Sequence, residues 1–346
     1  MENFSIKLSS NENPSGCSPL IKQAIIEAGP VYSRYPQQNI FRLSKKIANQ
    51  LNVEHNQVLL ANGSSEALEL IIRTFNARDC EVILPQYAFA FQKTICQHAL
   101  LFITEIKTNN GQQDLAGILN AINKNTRFIV LTNPSNPLGS FIKFCDLEKF
   151  MAQVPNNIIV IIDEAYYEYM LEPEYQTAIM LIKEYKNLII TRTFSKAYGL
   201  AGLRLGYCVG QQQLIQEINK IKNPFNINNL AIIAAEVALD DEHFMLKTRL
   251  LNQQGLIRLA KAFDEMAIKY LNKSANFITI DLEQNAKLFA DVLLKQSIIV
   301  KTLDEYDLPN HIRVSVGLSH ENEIFIKAME RICITGVNDV TTFAVL

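Results

Sequence analysis

The chain has 346 residues, 48% apolar and 20% charged, with a formal net charge of −2. That length predicts one large and one smaller domain, and the composition is that of a folded globular chain. The near-neutral balance gives no reason to expect nucleic acid or an anionic membrane as partner.

The six cysteines form no C-x-x-C pair and the five histidines show no H-E-x-x-H spacing. Disulfides and a metal site therefore have no support, and the thiols read as those of a reducing compartment. Met1–Ser5 lacks the basic region and apolar run of a signal peptide, and no apolar run reaches membrane-spanning length. The expected location is the cytoplasm.

The first 16 residues are polar and turn-rich, ending in Ser10-Asn11-Glu12-Asn13-Pro14-Ser15-Gly16. Ser18-Pro19 is a helix start, with serine as N-cap and proline at the first helical position. Ile21, Ile25 and Ala28 then share a face. Arg34-Tyr35-Pro36 is a second break, and Leu43, Ile47 and Leu51 mark an amphipathic helix.

From Val58 short apolar strands alternate with helical patterns. The strands are Val58–Ala61, Val82–Leu84, Leu101–Ile103, Phe128–Leu131, Ile158–Ile162, Leu188–Thr191 and Tyr207–Val209. Strands apolar on both faces and separated by helices predict an α/β domain, a mostly parallel sheet covered on both sides. The rhythm fades near residue 230. A helical pattern over roughly 240–270 follows, then Phe277–Ile280, a helix near 285–295, Ile298–Val300, Ile312–Val316 and a last helix. This reads as a smaller α+β domain, built from the N-terminal segment and the C-terminal third. The expected division is 31–245 for the large domain, with 1–30 and 246–346 for the small one. Thr335–Leu346 shows no clear pattern.

In open α/β sheets ligands sit beyond the C-terminal ends of the strands, and the polar clusters fall there. Gly63-Ser64-Ser65-Glu66 opens a helix whose free N–H groups suit an anion. Thr193, Ser195 and Arg204 add two hydroxyls and a guanidinium, enough to hold a dianionic phosphate. Asp163 ends an apolar strand, where an ionised carboxylate is costly without a cation. Asn133-Pro134-Ser135-Asn136-Pro137-Leu138-Gly139 is a turn able to hold an amide donor, or turn chemistry alone. Tyr87 is either a core aromatic or a ring laid over a flat ligand. Lys196, just past a central strand, is either a solvated loop lysine or a nucleophile toward carbonyls.

Ser195-Lys196 with Arg204, Asp163-Glu164-Ala165-Tyr166, Asn136-Pro137-x-Gly139 and Asn11-Glu12-Asn13-Pro14 occur in one order along the chain. Together they resemble the pyridoxal-phosphate aminotransferases of the aspartate aminotransferase fold (fold type I), over roughly residues 8–333. The branch most similar is histidinol-phosphate aminotransferase. Arg34-Tyr35-Pro36, Pro224-Phe225-Asn226-Ile227-Asn228, Ser274-Ala275-Asn276-Phe277 and Arg313-Val314-Ser315-Val316-Gly317 carry that likeness.

The resemblance implies that Lys196 carries pyridoxal 5'-phosphate as a Schiff base. Asp163 would pair with the ring nitrogen, Tyr166 and Asn136 with the ring oxygen, and Tyr87 would stack on the ring. Ser64, Ser65, Thr193, Ser195 and Arg204 would hold the phosphate. Tyr35 would reach the site of a neighbouring subunit, which implies a homodimer. Arg313 would bind the substrate's acidic group, with Asn13 and Lys301 beside it.

Two positions depart from the branch pattern. Ser15 replaces a tyrosine that lines the substrate site, and Lys301 replaces an arginine near the substrate phosphate. Lysine keeps the charge without the fork geometry. The implied reaction is amino-group exchange between histidinol phosphate and 2-oxoglutarate in histidine biosynthesis. The alternatives are an aromatic amino acid aminotransferase, a threonine-phosphate decarboxylase, and a non-catalytic ligand-binding relative.

Overall fold

A computed structural model describes residues 6–36 and 38–336. The reading of Met1–Ser5 and most of the patternless stretch after Thr335 lie outside the described residues.

In chain order the first elements are β1 (Ile6–Lys7), α1 (Pro19–Glu27), α2 (Gln38–Leu51), β2 (Val58–Ala61), α3 (Gly63–Phe75), β3 (Glu81–Pro85), α4 (Ala90–His98) and β4 (Phe102–Ile106). Then come α5 (Leu115–Ala121), β5 (Thr126–Thr132), α6 (Phe144–Met151), β6 (Ile159–Asp163), β7 (Leu188–Thr193), β8 (Gly206–Gly210), α7 (Gln212–Ile221), α8 (Asn229–Asp240) and α9 (Glu242–Glu265). The last are β9 (Lys269–Tyr270), β10 (Phe277–Asp281), α10 (Ala286–Lys295), β11 (Ile298–Ile299), β12 (Lys301–Leu303), β13 (Leu308–Ser315) and α11 (Ser319–Thr335).

Seven strands form one sheet in the order β2-β8-β7-β6-β5-β3-β4. The pairs among β3 to β7 are parallel, and β8 runs antiparallel to both neighbours. Alternation along β6 shows why both faces need helices. Val160 and Ile162 enter a core shared with Leu43 and Ala234, while Ile159 and Ile161 enter another with Ile71 and Ile215. Side chains of period two thus separate two apolar cores.

The register matters for function. Thr132 of β5 pairs with Asp163 of β6, and Asp163 with Thr191 of β7. Three polar side chains therefore stand abreast where the strands end.

The smaller unit is an antiparallel sheet in the order β12-β13-β10-β9, with β1 pairing parallel to β11 nearby. Its core gathers Leu259, Phe263, Ile280, Phe289, Val314 and Phe325. Ser18 caps α1 as its Oγ accepts the Leu20 N–H, and Pro19 is the first helical residue.

Two details differ from the expectation. Residues 229–240 are a helix of their own, α8, capped by Asn228. Apolar side chains occupy nearly every position, so it carries no sharp apolar stripe to find in a sequence. Secondly, α1 packs against α8, and its Ile21 belongs to the large-sheet core. We therefore propose to count α1 with the large unit rather than with a small domain that includes all of 1–30.

Candidate active site

The C-terminal rim of the large sheet holds a half-buried acid that, among the described residues, has no cation beside it. Asp163 Oδ1 accepts from Thr191 Oγ1 at 3.0 Å, and Oδ2 from Gln92 Nε2 at 3.4 Å. Gln92 is itself held by Thr132 Oγ1 at 3.1 Å. Among the described residues no lysine, arginine or histidine forms an ion pair with Asp163. Loss of water pushes its carboxyl up to about 6, against the hydrogen bonds that favour the anion. A protonated ring nitrogen is the kind of partner this carboxylate lacks.

Beside it lies an anion cradle. The first turn of α3 is not capped by the side chain of Asn62, so its N–H groups are open to a ligand. Ser195 N–H donates to Thr193 Oγ1 at 3.1 Å, and Arg204 Nη1 to Ser195 Oγ at 3.3 Å. Gly63 has φ +83°, and a Cβ there would lie 2.8 Å from Arg204 Nη2. Glycine lets the guanidinium approach the helix start this closely. The donor set, two hydroxyls, backbone N–H groups and one arginine, fits a phosphate monoester.

Lys196 follows β7 in a loop held from behind. Asn13 Nδ2 donates to the Ala197 carbonyl at 2.8 Å and to Thr248 Oγ1 at 3.2 Å. Gly199, at φ +69°, has the Gly16 carbonyl where a Cβ would go, 1.9 Å away. Lys196 Nζ donates to the Ser10 carbonyl at 2.9 Å and lies 5.9 Å from the centre of the Tyr166 ring. Its pKa is lowered to about 8, first by loss of water and then by Arg313 and Arg204. That leaves a usable fraction of free amine at neutral pH. Lys196 is thus the nucleophile candidate of the two readings its sequence position allowed.

Tyr166 is buried, and its hydroxyl oxygen accepts from Asn11 Nδ2 at 2.9 Å. Asn136 is also buried; its Oδ1 accepts from Arg313 Nη1, and among the described residues its Nδ2 donates to no protein acceptor. Arg313 Nη2 donates to the Ser9 carbonyl at 2.8 Å, while its buried Nε lacks a partner.

Lys301 lies directly across from Arg313 on the neighbouring strand. Its Nζ is 3.0 Å from Glu305, so one carboxylate partly balances two adjacent cations. Tyr87, at φ 64°, lines a 370 Å³ cavity with Glu305 and Tyr306. Tyr35 is 76% exposed and stacks on Phe225 with ring centroids 4.6 Å apart. It has no hydrogen bond to the residues above. Ser15 donates its N–H to Asn13 Oδ1 at 3.0 Å.

Asn13, expected among substrate-binding residues, spends its amide on the lysine loop and α9. Sequence reasoning missed Gln92, Thr132, Thr191 and Asn11. The first three become visible only when helix packing and strand register put them around Asp163. Asn11 sits in a motif already singled out, but nothing in that motif says which side chain it meets.

The comparisons agree with this geometry. The pattern of the family described as aminotransferase class I and II matches residues 5–329. A protein of Idiomarina loihiensis named histidinol-phosphate aminotransferase 1 is 40% identical over 327 residues, 94% of this chain and 89% of that one. A Haemophilus influenzae protein named histidinol-phosphate aminotransferase 2 shows the same identity and coverage. Among solved structures, the histidinol-phosphate aminotransferase of Clostridium acetobutylicum superposes with TM-score 0.88 at 25% identity, over 95% of this chain and 99% of that one. That of Sinorhizobium meliloti, solved in complex with pyridoxal-5'-phosphate, shares the fold at TM-score 0.90 and 24% identity, covering 96% and 91%. A lysine of lowered pKa, an acid lacking a cation and an anion cradle share the rim of one sheet, and with these matches the chain belongs to the aminotransferase class I and II family.

Proposed function

We propose that the protein is a pyridoxal-phosphate-dependent aminotransferase that exchanges an amino group between histidinol phosphate and 2-oxoglutarate. The observation that carries the cofactor reading is the half-buried carboxylate of Asp163, without an ion-pair partner among the described residues, at the same sheet rim as Lys196 and the α3 cradle. The substrate reading is supported by the 40% identical relatives and by the cross-strand pair Arg313–Lys301. Two cations side by side suit a phosphate dianion and accept a carboxylate.

When bound, the cofactor supplies an electron-accepting ring to which the substrate's amino-bearing carbon is conjugated. The chain's own groups do the rest. The first-turn N–H groups at Ser64 and Ser65, with Thr193, Ser195 and Arg204, hold the phosphate. Asp163 holds a proton at the ring nitrogen, and pairing there removes the cost of its burial. Asn136 and Tyr166 would hydrogen-bond the ring oxygen, and Tyr87 would stack on the ring. Lys196 Nζ is the covalent attachment point, then the base that takes the proton from the substrate carbon and returns it. Arg313 would orient the substrate anion, and Lys301, its cross-strand partner, would add charge on the same sheet face.

The working unit in this reading is a cytoplasmic homodimer, with exposed Tyr35 reaching the neighbouring site. Among the described residues, no helix is long and apolar enough to cross a membrane.

A single-turnover absorbance assay tests the reading. Histidinol phosphate and glutamate should each convert the bound cofactor from its aldehyde to its amine form. Conversion by phenylalanine or tyrosine but not by histidinol phosphate would assign the enzyme to aromatic amino acids.

A further inference from the structure

Three successive residues of the N-terminal segment each engage a different group of the site. The Ser9 carbonyl accepts from Arg313, the Ser10 carbonyl from Lys196, and the Asn11 side chain donates to Tyr166. Asn11 differs from the other two because its contact is made by a side chain with a fixed polarity.

Asn11 is 1% exposed and adopts φ 54°, a left-handed conformation that asparagine tolerates better than most residues. Its own N–H donates to Ser315 Oγ at 2.8 Å. Ser315 Oγ, having accepted that bond, has its hydrogen free for Asn11 Oδ1 at 3.0 Å. The amide oxygen is thereby turned toward β13, and Nδ2 is the end that meets the Tyr166 oxygen. The Asn11 carbonyl in turn accepts from Asn276 Nδ2 at 3.0 Å. Every polar group of Asn11 is satisfied and none can flip without loss. With one lone pair of Tyr166 occupied from behind, its hydroxyl hydrogen must point elsewhere. Among the described residues it donates to no protein acceptor.

We propose that Asn11, oriented by Ser315, is a positioning residue that directs the Tyr166 hydroxyl hydrogen into the cofactor site. Ser315 lies two residues after Arg313 on β13, so the strand that carries the substrate arginine also sets the polarity of Tyr166 through Asn11. This inference rests on the cofactor reading given above.

The decisive variant is Asn11→Asp in the holoenzyme. The carboxylate keeps the shape but accepts where the amide donates, so the tyrosine hydrogen turns away from the site. A donor lost from the ring oxygen makes the lysine–cofactor linkage hold its proton more strongly. The pH midpoint of the bound cofactor's absorbance change should rise by about one unit, and cofactor dissociation should strengthen about tenfold in rate or constant. The charged groups facing Tyr166 are Arg313 and Asp163, with Lys196 over the ring, and none is altered.

The same substitution in a Tyr166→Phe background separates the relay from the new charge. A relay acting through the hydroxyl loses most of its shift there, whereas a shift that persists undiminished overturns the proposal. Ser315→Ala, which introduces no charge, should move the midpoint the same way by a smaller amount. If Asn11→Asp does not fold, a wild-type midpoint in Ser315→Ala overturns the relay. A wild type that binds no cofactor would instead defeat the reading on which the relay rests, and the inference with it.

Discussion

Two adjacent carboxylates, Asp163 and Glu164, leave the end of β6 into opposite environments. Glu164 is fully buried and fully answered by protein. It pairs with Arg192 at 2.7 Å and accepts from Thr177 Oγ1 at 2.8 Å and the Ala178 N–H at 2.6 Å. Arg192 is as buried as its partner and lies 3.6 Å over the Tyr167 ring. Asp163 has hydroxyl and amide donors but, among the described residues, no ion-pair partner. The first region completes its own electrostatics and holds the lysine strand in place. The second is left incomplete, as a site that awaits a charged ligand must be.

The largest expected effect follows from the incomplete side. Asp163→Asn keeps the shape and one of the two acceptor oxygens now facing Thr191 and Gln92, but cannot hold a proton at a ring nitrogen by charge. We expect turnover to fall about 10³-fold while thermal stability stays near wild type. Steady-state kinetics and a melting curve read the two outcomes together.

Glu164→Gln should do the reverse. It takes from buried Arg192 its ion-pair partner and leaves Glu168, which makes no ion pair with it among the described residues, as the other carboxylate acting on it, at a cost of about 3–5 kcal/mol in unfolding free energy. Denaturant titration measures it. Equal stability losses from both substitutions would erase the contrast between the two sites.

Arg313→Ala removes the substrate's anion partner and frees Asn136. The KM for both histidinol phosphate and glutamate should rise about 100-fold, a loss of ~3 kcal/mol in binding. An unchanged KM would move the anion site elsewhere.

A smaller effect concerns the cofactor-free protein and pH. Burial raises the Asp163 carboxyl from 3.8 to about 6. Between those values the folded state holds more protons than the unfolded one, so stability falls as pH rises through that window. Asp163's share of the fall should be of order 1–3 kcal/mol, should be lost in Asp163→Asn and should shrink when cofactor is bound, while buried Glu168, pushed up to about 7, keeps a fall of the same sign in both proteins. Melting curves from pH 4 to 7 check the sign.

The smallest effect is at the substrate end. Lys301→Arg restores a fork opposite Arg313, and KM for histidinol phosphate should fall a few-fold with little change for glutamate. Initial rates over a substrate series test it.

Much of this was legible in the sequence. The strand rhythm fixed a parallel sheet because residues buried on both faces leave no polar alternation to mistake. Lys196, Asp163 and Ser64 stood out because each lies at or just past a strand end where the chain turns from apolar to polar, and Arg204 because it follows Lys196 in the same polar stretch. Asn13 and Asn11 were legible as a motif but not as contacts, since their partners lie on β13, on α9 and in the lysine loop, far along the chain. Gln92 carried no signal, because a lone glutamine on a helix face looks like a solvated one. The α8 helix was lost for the opposite reason: with apolar side chains on most faces, its period is weak.

The central claim is that Lys196 and Asp163 together form a pyridoxal-phosphate site. The most direct measurement is the absorbance spectrum of purified protein saturated with pyridoxal 5'-phosphate, before and after borohydride reduction, for wild type and Lys196→Ala. The account predicts a near-visible band in wild type that reduction fixes covalently at Lys196, and no such attachment in Lys196→Ala. A wild type that stays colourless at saturation, or a label that reduction places on another lysine, would contradict it.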